Sequence, residues 1–270
     1  MIQFDFSGQN ILVVGGTSGI NRAIACAFAQ QGANVAVVSR NEEKVQDTLA
    51  ELAQYGTEVA GFAADVRQYE PLAEGVRELA TAWGALHLVV SGAAGNFLAT
   101  GAAMSPNAFA SVVNIDLLGT YHVMRAVYPY LQRPGGSVIT ISAPQAQIPM
   151  LGQAHVCAAK AGVDMLTRTL ACEWGPEGLR VNALVPGPIA GTEGMARLAP
   201  TPQMLAACAR SVPIGRLGEV GDVANACLLL ASPLASFITG AVLPVDGGWL
   251  QGGASAVAAE FADVLTKSQG

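Results

Sequence analysis

The sequence predicts an α/β fold: a Rossmann-type, doubly wound parallel sheet of seven strands with helices on both faces, in a single domain. Three observations predict it. Short apolar runs such as I-L-V-V and V-A-V-V alternate with helix-period segments along almost the whole chain, the pattern of a parallel sheet covered on both faces. A glycine-rich turn, G-G-T-S-G-I, follows the first of these runs, where such a fold receives a phosphate. The strands and crossovers use up the 270 residues, a length within reach of one large domain.

In chain order, the run N-I-L-V-V predicts a strand at 10–14 and the apolar-periodic stretch after the glycine turn a helix at 20–31. N-V-A-V-V-S gives the strand 34–39, followed by a helix at 42–54, and the third strand falls at 58–63 with its helix at 69–82. L-H-L-V-V-S forms the strand 86–91, and a single long helix is expected at 106–131. S-V-I-T-I-S gives the strand 137–142 and a helix over 152–174, then R-V-N-A-L the strand 180–184. A helix at 219–231 and the strand 241–245 complete the sheet. The segment 189–213 is rich in Gly, Pro and Ala and lacks a strand pattern; it reads as a lid or a short helical insert over the site. The Ala-rich piece after Leu250 is expected to be a docking helix or a frayed tail.

Composition narrows the function classes. A net charge of −6 argues against nucleic acid or an anionic membrane as partner. Cys26, Cys157, Cys172, Cys208 and Cys227 are scattered, without a C-x-x-C pair, so buried thiols are expected rather than disulfides or a metal site. No basic segment opens the chain, no apolar run approaches the roughly 18 residues of a membrane span, and the last residues, K-S-Q-G, are not an S-K-L type address. A cytoplasmic enzyme is expected.

The glycine turn offers Gly15, Thr17, Ser18 and Gly19 at the start of a helix whose free N–H groups can hold a pyrophosphate. Asn21 stands where the usual spacing has a third small residue. After the second strand come Ser39 and Arg40 instead of an acid; a guanidinium suits a 2′-phosphate, so NADPH is expected over NADH. Asp65 can accept from an adenine amino group while Val66 covers the ring. In S-G-A-A-G-N-F, Gly92, Ala93 and Ala94 let backbone approach a ribose, or serve close packing alone.

Together, G-G-T-S-G-I, D-V at 65–66, G-A-A-G at 92–95, Lys160, R-V-N-A-L-V-P-G-P-I at 180–189 and V-D-G-G at 245–248 resemble the short-chain dehydrogenase/reductase superfamily. The resemblance implies a nicotinamide coenzyme and a homo-oligomer, dimer or tetramer. It implies further coenzyme contacts from Ile20, from Pro186, Gly187 and Ile189 at the carboxamide, and from Thr192 at the phosphates. Carbonyl-reducing members use Asn, Ser, Tyr and Lys, with the Tyr hydroxyl as general acid. Here Val156 stands at the Tyr position, Ala143 at the Ser position with Ser142 beside it, and Asp116 at the Asn position with Asn114 two residues earlier. Only Lys160 is retained.

Within the superfamily, N-F-L-A-T, D-L-L-G-T-Y-H, Q-A-H-V-C-A-A-K, E-W-G-P and P-G-P-I-A-G-T-E-G-M-A-R-L resemble the 2,4-dienoyl-CoA reductases, the peroxisomal type above all. That implies NADPH-dependent reduction of a 2,4-dienoyl-CoA to a 3-enoyl-CoA, a step of fatty-acid β-oxidation. Asp116, Lys160 and Asp164 are the implied catalytic residues, with a water held by the two acids as proton source. Arg67 and Arg197 match positions that contact coenzyme A, and Phe97 one near the acyl thioester. The alternatives are another unsaturated or carbonyl substrate, or a catalytically silent coenzyme-binding subunit. His155 lies about 140° around the helix from Lys160 and is expected to be structural; His87 and His122 are given no role.

Overall fold

Strand residues of opposite parity bury on opposite sides of the sheet, so two cores form. The computed structural model describes residues 4–253. Its strands are β1 (Asn10–Val14), β2 (Asn34–Ser39), β3 (Val59–Ala63), β4 (Leu88–Ser91), β5 (Ser137–Ile141), β6 (Arg180–Pro186) and β7 (Val242–Val245). They form one sheet in the order β3-β2-β1-β4-β5-β6-β7, every pair parallel. Ile11 and Val13 face one core with Val35 and Val37; Leu12 and Val14 face the other with Ala36 and Val38.

On the first side lie α1 (Gly19–Gln30), α2 (Glu42–Leu52) and α9 (Val220–Ala231), which supply Ile24, Phe28, Val45, Leu52 and Val223. On the second lie α3 (Tyr69–Trp83), α5 (Gly119–Val127) and α6 (Ala154–Trp174), which supply Leu72, Val76, Met124, Val127 and Trp174. Each large apolar side chain so buried contributes about 1.5–3 kcal/mol. Asn41, Ser105, Thr192 and Thr201 cap α2, α4 (Pro106–Val113), α7 (Glu193–Leu198) and α8 (Pro202–Ser211) by accepting a backbone N–H at Lys44, Ala108, Met195 and Met204.

One expected element is corrected. The stretch 106–131 is not a single α-helix: α4 and α5 are separated by a π-helical turn, Asn114–Leu118, and a 3₁₀ turn, Tyr128–Tyr130, follows α5. The π-turn accommodates an extra residue without breaking the rod, and Asp116 is buried within it. Elsewhere the expected bounds match the observed ones to within two residues, and those of β1 and β2 coincide; Leu86 makes only an isolated parallel bridge to Leu131 before β4 begins. The segment 189–213 holds the two short helices α7 and α8. Beyond Gly253, the expected docking helix or tail lies outside the described residues. No helix among those described is long and apolar enough to cross a membrane.

Candidate active site

Strand order reverses between β1 and β4, and the crevice beyond their carboxyl ends is where such sheets bind ligands. A cavity of about 860 Å³ opens there. Gly15 has φ +81°, and a Cβ on it would come within 2.9 Å of the Ala93 nitrogen. The β1–α1 turn therefore lies directly on the G-A-A-G loop, an approach only glycine allows. Asn21 is a tether: its Nδ2 donates to the Gly92 carbonyl at 2.8 Å, and a Cβ on Gly92 would fall 2.2 Å from its Oδ1. Side-chain packing at the third position of the motif is thus replaced by a hydrogen bond between the two loops.

Thr17, Ser18, Gly19 and Ile20 line the cavity at the N-terminus of α1, where Ser18 makes no side-chain cap. First-turn N–H groups left without an intrahelical partner form an anion site. Thr192 sits over this turn, its Cγ2 3.7 Å from where a Gly19 Cβ would be, with its hydroxyl donating to the Ile189 carbonyl. Ser39, Arg40 and Lys44 line the rim beyond β2. Asp65 and Val66 line it beyond β3, and Arg67 holds the Asp65 carboxylate with Nη2 at 2.5 Å, which keeps that carboxyl below its ordinary range. Arg197 donates to the Asn96 carbonyl and to Glu193. A glycine cradle, an open helix N-terminus and a basic rim fit a dinucleotide carrying phosphates.

At the inner end, the π-turn and α6 bring Asp116 and Lys160 together. Lys160 Nζ stands 3.4 Å from Asp116 Oδ2, both side chains almost fully buried, and donates to the Ile141 carbonyl at 2.9 Å. Asp116 Oδ1 accepts from the Gly95 N–H at 2.7 Å, while Oδ2 has no hydrogen-bond partner. Val156 and Ala143 line the cavity where a Tyr–Ser pair would present hydroxyls. Ser142 gives its proton to Asp164 Oδ1 at 2.5 Å. Burial raises the Asp164 carboxyl above its ordinary value, an effect the Ser142 hydrogen bond opposes.

Gly92, Ala93, Ala94, Pro186, Gly187, Ile189, Arg67 and Arg197 line the same cavity as Asp116 and Lys160. Asp164 and Phe97 do not. Asp164 stands behind Ser142, and Phe97 packs at a tilt against the buried His155 ring with centroids 4.2 Å apart. Among the lining residues that escaped the sequence reading are Lys44, Gln145 and Gln153. Lys44 lies in the first turn of α2, just after Arg40, and a second cation so near the strand end could have drawn it in. The two glutamines carry no such signal.

A family model described as "Enoyl-(Acyl carrier protein) reductase" matches residues 14–250. The peroxisomal 2,4-dienoyl-CoA reductase [(3E)-enoyl-CoA-producing] of Danio rerio is 39% identical over 247 residues, covering 90% of this chain and 82% of that one. Its counterpart in Arabidopsis thaliana is 38% identical over 254 residues, covering 90% and 85%. Among solved structures, a short-chain type dehydrogenase/reductase from Mycobacterium ulcerans superposes with a TM-score of 0.88 at 31% identity, covering 92% of each chain. With the glycine cradle, the single retained lysine and these likenesses in agreement, the chain belongs to the short-chain dehydrogenase/reductase family of oxidoreductases, and it is similar over most of its length to 2,4-dienoyl-CoA reductases.

Proposed function

We propose that the protein reduces a conjugated 2,4-dienoyl-CoA, or a similar enoyl thioester, to the 3-enoyl thioester with NADPH. The observation that carries this reading is the inner end of the cavity: a buried Lys160–Asp116 pair beside Val156 and Ala143, which carry no hydroxyl, while the Ser142 hydroxyl donates to Asp164. Members of this family use a nicotinamide coenzyme, which when bound supplies the hydride. Arg40 and Lys44 on the rim, with no acid at the end of β2, support NADPH.

Hydride addition at the distal carbon of the diene moves negative charge to the thioester oxygen. Protonation of the resulting dienolate at the α carbon gives the 3-enoyl product. The chain must therefore orient the thioester, donate a hydrogen bond to its oxygen and deliver one proton at carbon. Lys160 keeps the local field positive and holds the coenzyme ribose. Asp116 fixes the ammonium and, through Oδ2, which pairs with Lys160 at 3.4 Å but has no hydrogen-bond partner, holds the water that protonates the α carbon. Asp164 acts on that water through Ser142. Arg67 and Arg197 at the mouth receive the coenzyme-A phosphates, and Phe97, packed against His155, lies near the acyl thioester. The helices α7 and α8 form the lid.

The assembly is proposed as a dimer or tetramer; exposed Leu118, Tyr121 and Met165 support it. The free thiols of Cys26, Cys157, Cys172 and Cys227 suit a reducing compartment, the cytoplasm, although the relatives above are named peroxisomal. Purified protein mixed with NADPH and 2,4-hexadienoyl-CoA is expected to lose nicotinamide absorbance and to form a 3-enoyl product. Intact NADPH binding without turnover overturns the reading.

A further inference from the structure

The charge that develops on the thioester oxygen needs a donor in a dry place, and the lysine and serine at the inner end have theirs committed. Lys160 directs Nζ at the Ile141 carbonyl and at Asp116, and its third N–H is left for the coenzyme ribose. Ser142 spends its proton on Asp164. Val156 and Ala143 have none. Two amides remain. Gln153 is the residue before α6, fully buried, and Gln145 lies in the 3₁₀ turn Pro144–Ala146 after β5, 8% exposed; both line the cavity. Gln145 Nε2 donates to Gln153 Oε1 at 2.9 Å. That bond leaves Gln153 Nε2 and Gln145 Oε1 buried without a partner.

We infer that Gln153 is a catalytic residue whose Nε2 donates to the thioester oxygen as it gains charge, and that Gln145 is the positioning residue that aims it. The inference deepens the proposed dienoyl-thioester reading and rests on it. Three features support the assignment. A buried amide N–H with no partner is unfavourable in the folded protein unless a ligand meets it. Gln153 precedes Val156 by three residues, so it stands one turn below the position that elsewhere carries the hydroxyl donor. The Gln145 bond fixes the Gln153 carboxamide plane before substrate arrives, and a preorganised donor does not have to reorient as charge develops. An amide also suits this chemistry: it stabilises an enolate oxygen without giving up its proton, leaving protonation to occur at carbon.

The test uses the full chain with NADPH and 2,4-hexadienoyl-CoA. Gln153→Met keeps the length and loses the N–H. It is expected to lower kcat about 100-fold, with KM for the thioester within about threefold and NADPH affinity unchanged. Gln145→Glu places a carboxylate where the anchoring donor was, which draws Gln153 Nε2 onto itself; kcat is expected to fall while KM holds. This second variant gives the same readout should Gln153→Met fold poorly. Wild-type kcat in Gln153→Met overturns the inference. So does a loss in which KM and NADPH affinity worsen in step with kcat, the mark of a merely structural role. Absence of dienoyl-CoA turnover in the wild-type protein is a separate outcome, which removes the thioester reading and this inference with it.

Discussion

Lys160 and Asp116 lie 44 positions apart in sequence, yet the ammonium and carboxylate meet at 3.4 Å with almost no solvent access. Removing one partner of such a pair leaves a buried charge uncompensated. Asp116→Asn can still accept from the Gly95 N–H, so the loop and the coenzyme cradle should keep their shape. Turnover is expected to fall about 100-fold and stability by about 3 kcal/mol, with NADPH affinity nearly unchanged. Steady-state kinetics beside a coenzyme titration check this; undiminished turnover rejects Asp116.

Arg40 sets the coenzyme preference if it meets a 2′-phosphate. Arg40→Leu should raise KM for NADPH about tenfold, equivalent to about 1.4 kcal/mol, and leave KM for NADH within about twofold. An unchanged ratio of the two would assign the phosphate to Lys44 or elsewhere.

His155 is fully buried and neither ring nitrogen has a hydrogen-bond partner. Burial lowers its pKa below the ordinary 6.5, and the weaker field of Asp116 opposes that. A depressed folded-state pKa means that the unfolded chain takes up a proton first as pH falls. Its contribution to stability is therefore present above pH 6.5 and is lost as the solution is acidified below it. His155→Phe should raise Tm at pH 8 and raise it further at pH 5. A gain that does not grow on acidification would mean that His155 is not the group responsible.

Gly92 and Asn21 can be examined as a pair. Gly92→Ala puts a methyl against the Asn21 amide and breaks its bond to the Gly92 carbonyl, at a cost of about 1–3 kcal/mol. Coenzyme affinity should fall with it, because the glycine turn and the G-A-A-G loop would part. Combined with Asn21→Ala, the loss should be smaller than the sum of the two single losses; simple additivity would show that the tether carries nothing.

The sheet was legible because its strands are short, uninterrupted apolar runs that end in residues with an evident purpose, such as Gly15, Arg40, Asp65 and Gly92. Asp116 and Lys160 were legible only through resemblance, since nothing in N-I-D-L-L-G-T or A-A-K-A-G announces a meeting across the fold. The π-turn was invisible: a one-residue excess in a helix leaves hydrophobic spacing close to helical on either side. Asp164 lies one turn beyond Lys160 on the same helix, but the sequence does not say that Ser142 stands between Asp164 and the opening. Gln145 and Gln153 escaped because a hydrogen bond between the end of a strand and the start of a helix has no periodic signature.

The π-turn at Asn114–Leu118 also acts as a phase shifter. Ahead of it, α4 packs against α6; beyond it, α5 packs against α3 and contributes Val123, Met124 and Val127 to the core. A regular helix advances about 100° per residue, so deleting one residue inside the turn would rotate one half of the rod by that angle relative to the other. Either Asp116 would leave Lys160 or the three apolar side chains would leave the sheet. The surplus residue lets one rod address two neighbours whose directions a regular helix could not satisfy together.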